Sequence, residues 1–322
     1  MASKKPKATT KSAKAADKKS QKPKTVAAEK TAKDVSAEAP KNIKTEAKPA
    51  EKACVAGACE KFTFKGFFAK KYPENESILS VFKCPKFYGA LLAEFVGVLL
   101  LTLVMFSLSL MGLANIAMYA FGVIAITIAV FAFSGANLNP LITVGMMASR
   151  RMSVIRGVMY IIAQILGAWV GWLIFNGFFL AGGDNAYSMV AMSEIAEDGF
   201  WPVAFVEFLG AIIIAFCFVR ALAYKRSVFS FAGIVAGGIS IACLIGYVVS
   251  AAYLGLSGNF IFNPAVALMM QIFPTAGETF GEVLGGICQA LSAYALVPMI
   301  GGVIGFYLAD FMCKLTGEKL AE

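Results

Sequence analysis

The chain of 322 residues is 58% hydrophobic and only 15% charged, with a mean hydropathy of +0.71; soluble domains run at about 45–50% and about 25%. Its charge is segregated, with 21 Lys against 9 Asp or Glu in residues 1–86 and 8 Lys or Arg against 11 acids in residues 87–322, for a net +9. A soluble catalytic domain is excluded, and the composition is that of an all-α polytopic membrane protein with a basic tail.

Residues 1–60 are Lys, Ala, Ser, Thr and Pro with almost no large apolar side chains, and read as a disordered cytoplasmic tail. No apolar h-region stands near the start, so a cleaved secretory signal is not expected. Residues 61–86 interleave Phe and Tyr with Lys, a pattern suited to a membrane-interface segment on an anionic leaflet. A lysine-rich arm of this kind is expected to be solvated or bound to anionic lipid rather than to nucleic acid. The Asn75-Glu76-Ser77 glycosylation pattern falls in this cytoplasmic region and is discounted.

A helix needs about 20 apolar residues to cross a bilayer. Six segments qualify: 87–111, 115–133, 155–180, 201–222, 228–255 and 284–312. With the N-terminus inside, Arg150, Arg151, Arg156, Arg220, Lys225, Arg226, Lys314 and Lys319 all fall in or beside internal loops or on a cytoplasmic C-terminus, 314–322. External loops carry no Lys or Arg, so the positive-inside rule is met throughout.

Two further apolar pieces, 139–149 and 263–273, are too short to span and each opens with Asn-Pro. Eleven residues reach about 16 Å as helix, half the hydrocarbon thickness. One follows the second span from inside and the other the fifth from outside, so two half-helices are predicted to meet near the midplane. The halves repeat: Ala93-Glu94-Phe95-Val96-Gly97 answers Val206-Glu207-Phe208-Leu209-Gly210, and Asn139-Pro140-Leu141 answers Asn263-Pro264-Ala265. Three spans per repeat is an odd number, so 87–200 and 201–313 form two inverted repeats, which point to a permeation or binding site between them.

Proline suits the first helical position, where its missing N–H has no partner in any case. Asparagine is a strong N-cap whose amide also carries two N–H donors. Irregular backbone at this depth must line a cavity or lie inside protein, so Asn139 and Asn263 are expected to face a lumen, donating to a passing oxygen while the helix ends repel cations. Glu94 and Glu207 are intramembrane acids; one per repeat at matching positions favours support of the re-entrant segments over a proton relay. Gly167 with Gly171, Gly233 with Gly237, and the group Gly301, Gly302 and Gly305 have the spacing of close helix contacts. Seven scattered cysteines and no histidine give neither a disulfide framework nor a metal site, and no nucleophile–base pair suggests an enzyme or a bound cofactor.

These residues carry a resemblance. The chain from about 87 to 312 resembles the major intrinsic protein family of aquaporins and glycerol facilitators, through Ala93–Gly97, Ser134-Gly135-Ala136-Asn137-Leu138-Asn139-Pro140, Ala163-Gln164-Ile165-Leu166-Gly167-Ala168 and Pro298-Met299-Ile300-Gly301-Gly302. The resemblance implies a channel in the plasma membrane, both termini cytoplasmic, and a homotetramer with one pore per subunit. It also implies a selectivity ring, which falls at Tyr119, Ser250, Phe260 and Val266. Val266 stands where the family usually has Arg, an electrostatic barrier to protons and cations in aquaporin-type pores. Leu141 replaces the usual alanine, and Ala267 replaces the acid that glycerol facilitators place after the Arg.

The reading is therefore a passive channel for water or small neutral, glycerol-like solutes. Two other classes stay open: a secondary transporter built on broken helices, and a membrane anchor for the basic tail.

Overall fold

The computed structural model describes residues 81–108, 115–179, 200–224, 227–249, 260–271 and 280–318. Ser250 and residues 1–80 lie outside the described residues, as does the expected end of the fifth span at 255. The regular elements of the described residues are all helices: α1 (Pro85–Leu108), α2 (Asn115–Ser134), α3 (Pro140–Ala148), α4 (Val154–Phe179), α5 (Phe200–Leu222), α6 (Val228–Val249), α7 (Pro264–Gln271), α8 (Phe280–Leu291) and α9 (Val297–Thr316). A π-helical turn, Ser292–Leu296, joins α8 to α9 as one span. With it, the described residues hold six helices long and apolar enough to cross a membrane. In hydrocarbon every backbone polar group must be paired within the segment, and a helix does this.

Where boundaries differ from expectation the cause is local. The first span opens at Pro85, taking Pro85 and Lys86 from the interface segment, because proline is pre-organised for the first turn. The last span continues to Thr316 and stops at Gly317, whose φ of 69° is the left-handed conformation that ends helices. Its π turn also has a source. Pro298 lacks the N–H that would bond the Tyr294 carbonyl, and its ring would collide with that carbonyl; a wider turn just before it relieves both.

Each repeat is held by one close crossing, built in the same way. Gly167 and Gly171 of α4 lie against the Phe95 and Leu99 carbonyls of α1, and Gly301 and Gly305 of α9 against the Phe208 and Ile212 carbonyls of α5. Phe95 and Phe208 each follow the repeat's glutamate, so the crossings are equivalent by sequence as well as by shape. A methyl group at Gly171 would sit 2.9 Å from the Leu99 oxygen, and one at Gly301 would sit 2.6 Å from the Phe208 oxygen. Only glycine lets the backbones approach so closely. The Gly233 and Gly237 pair does not join this set. Neither has an atom of the described residues within 4 Å of where a Cβ would stand, and it is Gly238 that receives a neighbour, Cys217.

Candidate functional site

The site begins where α2 ends. After Ser134 the chain turns through Gly135 (φ 83°), Ala136 (φ 54°) and Leu138 (φ 53°), left-handed conformations that cost a non-glycine residue about 1–2 kcal/mol each. Glu94, fully buried on α1, holds this turn in place. Its Oε1 accepts from the Asn137 N–H at 3.0 Å and its Oε2 from the Leu138 N–H at 2.7 Å. The Gln164 amide of α4 donates to Oε2 at 2.7 Å and to the Thr143 hydroxyl at 3.0 Å.

The second repeat does the same with fewer parts. Phe262 is left-handed (φ 54°). Glu207 of α5, also fully buried, accepts from Ile261 N–H at 2.6 Å and from Phe262 N–H at 3.1 Å. Three residues beyond each glutamate stands a glycine whose missing side chain makes room for the strained residue: Leu138 fills the space at Gly97, and the Phe262 ring fills that at Gly210.

These turns deliver the two Asn-Pro pairs to one another. Asn139 caps α3, its Oδ1 accepting from Leu141 N–H at 3.0 Å with Pro140 in the first turn. Asn263 caps α7 through Ala265 N–H at 3.2 Å, with Pro264 opening the helix. Each amide then reaches across the repeat boundary. Asn139 Nδ2 donates to the Phe262 carbonyl at 2.7 Å and Asn263 Nδ2 to the Leu138 carbonyl at 3.0 Å. An amide has two N–H groups, so each asparagine keeps one beyond this exchange. Both asparagines line a cavity of about 30 Å³, room for about two water molecules. Its walls include Tyr119 and Val123 of α2, Ile214 of α5 and Val235 of α6, and none of its lining residues is an acid or a base.

The remaining expected site residues fall elsewhere. Leu141 and Ala265 are fully buried and do not line the cavity; the Leu141 backbone lies against Gly302, and Ile142 faces the cavity instead. Of the described ring positions, Tyr119, Phe260 and Val266, only Tyr119 lines it. Phe260 covers Gly246 of α6 and stacks on Phe262 with centroids 5.5 Å apart, and Val266 is fully buried in the first turn of α7. Two polar features went unassigned in the sequence reading. One is the Gln164–Thr143–Glu94 cluster, signalled by a lone Gln in an apolar span. The other is a bidentate ion pair of Arg151 with Asp310, at 2.6 and 3.0 Å with side chains 4% exposed, which ties the segment after α3 to α9. Asp310 is the one carboxylate in the apolar stretch of the last span beyond the π turn, and that isolation was the available signal.

Residues 81–312 match the family model described as Major intrinsic protein. The chain belongs to the major intrinsic protein family. Among its relatives, Aquaporin-1 of Bos taurus is 30% identical over 206 residues, covering 63% of this chain and 69% of that one. Glycerol uptake facilitator protein-like 6 of Lactiplantibacillus plantarum is 30% identical over 240 residues, 71% of this chain and 98% of that one. In fold the chain is similar to the X-ray structure of the aquaglyceroporin from Plasmodium falciparum, with a TM-score of 0.49 and 16% identity over 71% of this chain and 96% of that one. As a member of the family the protein is a multi-pass membrane channel for water or small solutes, and not an enzyme.

Proposed function

We propose that the chain conducts water, and with it small neutral solutes of the glycerol class, by passive flow past the two Asn-Pro half-helices while excluding cations. The observation that carries this reading is the crossed pair of amides. Asn139 and Asn263 each secure the opposite loop with one N–H and keep the other for a molecule in the cavity they line. The positive ends of α3 and α7 converge at the same place, so a dehydrated cation meets donors and partial positive charge where it needs acceptors.

Two observations favour passive flow over coupled transport. The cavity lining has no titratable carboxylate, and Glu94 and Glu207 are both engaged by backbone N–H groups of the loops. Passage of a carbon-bearing solute is supported by the apolar walls and by Val266, which leaves that turn without the five N–H donors of an arginine. The functional unit in this reading is a homotetramer with one pore per subunit, placed in the plasma membrane with both termini cytoplasmic.

Stopped-flow light scattering on proteoliposomes tests the proposal, with sucrose and glycerol gradients in parallel. The expected result is shrinkage faster than in empty vesicles, followed by re-swelling in glycerol but not in sucrose, with no rise in potassium leak. Glycerol entry equal to that of empty vesicles would confine the channel to water, and saturable or ion-coupled flux would replace the passive reading.

A further inference from the structure

Among the described residues, the buried threonines and serines are paired, with one exception. Of the buried hydroxyl residues described, Thr102 returns its hydrogen to the Val98 carbonyl at 2.8 Å, Thr143 bonds the Asn139 carbonyl at 3.1 Å, and Ser149 bonds the Met146 carbonyl at 3.4 Å. Thr127 of α2 is only 2% exposed, yet among the described residues its hydroxyl has no protein partner, not even the carbonyl one turn back that helical threonines ordinarily use. Nor is its oxygen sealed into the packing: the sealed, unpaired side-chain polar atom among the described residues is Asn176 Oδ1. Thr127 lines the same cavity as Asn139 and Asn263. It follows Tyr119 and Val123 at helical spacing, so all three stand on one face of α2, and Tyr119 to Thr127 is about 12 Å of helix.

We infer that Thr127 is a hydrogen-bond station for the conducted molecule, supplying a side-chain acceptor on α2 that the asparagine pair cannot. This rests on the channel reading above. Both asparagine Oδ1 atoms are already taken by the caps of α3 and α7, so toward the lumen the amides only donate. A water or alcohol oxygen that accepts from them still has its own O–H to place. The side chains of Val123, Ile142, Ile214 and Val235 offer it nothing, so beside the Tyr119 hydroxyl and the backbone carbonyls of the two loops Thr127 is the further acceptor on the wall. The Thr127 oxygen has two lone pairs and a rotatable hydrogen, so it takes that O–H and passes the molecule along the wall. The site is selective in chemistry: it serves a neutral molecule bearing hydroxyl groups and gives little to one without donors.

The test compares wild type, Thr127→Val and Thr127→Ser in proteoliposomes. It measures water permeability per reconstituted protein and the temperature dependence of permeation, which does not depend on how many channels folded. Valine keeps the shape and removes the oxygen; serine keeps the oxygen. Loss of one hydrogen bond along the path is expected to slow permeation by about two- to tenfold in Thr127→Val. Its temperature dependence should steepen, and Thr127→Ser should recover most of both. Thr127→Val matching a conducting wild type in rate and temperature dependence would overturn the station while leaving the channel reading intact. Thr127→Ser failing as Thr127→Val does would assign the effect to packing and overturn it equally. Wild-type vesicles no more permeable than empty ones would overturn the channel reading, and this inference with it.

Discussion

At Asn263 one side chain performs three tasks: its oxygen caps α7, one N–H holds the Leu138 carbonyl, and the other faces the cavity. Asn263→Asp keeps the cap and removes both donors, placing a negative charge where the proposal puts a cation barrier. A unit charge about 4 Å from a passing ion contributes about 4 kcal/mol at an effective dielectric of 20, so potassium leak is expected to rise more than about tenfold. Unchanged leak in a folded Asn263→Asp channel would count against cation exclusion at this point. The asparagines were legible in the sequence because Asn-Pro carries its own mechanism: a cap, a preset φ and spare donors. The strained residues beside them were not. Leu138 and Phe262 are not residue types that signal a left-handed turn, and each is held there by a carboxylate more than forty positions away. Phe260 was named as a ring position, but its packing was not legible for a related reason, since its ring goes where Gly246 leaves a gap on a different helix.

Among the elements, the short helices α3 and α7 could be read from length alone, because a piece of about ten apolar residues opening with proline cannot span and must stop midway. Glycine spacing was a weaker guide. It singled out the glycines that α4 and α9 use at their crossings, and equally the Gly233 and Gly237 pair, which meets no atom of the described residues. Spacing says which glycines share a face but not whether a backbone lies opposite. That difference gives a paired prediction. Gly301→Val places a branched side chain against the Phe208 carbonyl and forces α9 off α5; overpacking costs typically about 1–3 kcal/mol, and more where the obstacle is rigid backbone. The variant is expected to lose its monodisperse peak in detergent or to melt at clearly lower temperature. Gly233→Ala, with open space around it, is expected to melt at or slightly above the wild-type temperature, since alanine is the better helix former. Equal behaviour of the two would mean that the crossing does not depend on close approach.

For the whole molecule, two charge pairs among the described residues meet at the end of α9. Arg151 pairs with Asp310 near the end of α9, and Arg220, in the last turn of α5, meets Glu318 just past α9, so a basic loop residue, a basic helix end and the end of α9 lie together. The exposed Arg220–Glu318 pair adds little stability. Its value is in marking the side that the positive-inside rule assigns to the cytoplasm, which is also the side proposed for the tail. Residues 1–86 hold 21 Lys against 9 acids, and we propose that they lie on the anionic inner leaflet. Each Lys near such a surface contributes about 1 kcal/mol at most, so a few engaged at once bind reversibly. Their attraction fades as the screening length falls from about 10 Å at 0.1 M salt to about 3 Å at 1 M. A peptide of residues 1–86 is therefore expected to bind phosphatidylserine-containing vesicles at low salt, to leave them at high salt, and to bind neutral vesicles weakly. The aromatic residues of 61–86 set a floor, because burial of Phe survives salt, so a peptide of residues 1–60 should be released more completely. The channel lacking residues 1–60 should still conduct, since the helices that bring Asn139 and Asn263 together all lie beyond that point. Equal binding to neutral and anionic vesicles would contradict the electrostatic reading of the tail, and loss of conduction on its removal would give the tail a part in the pore.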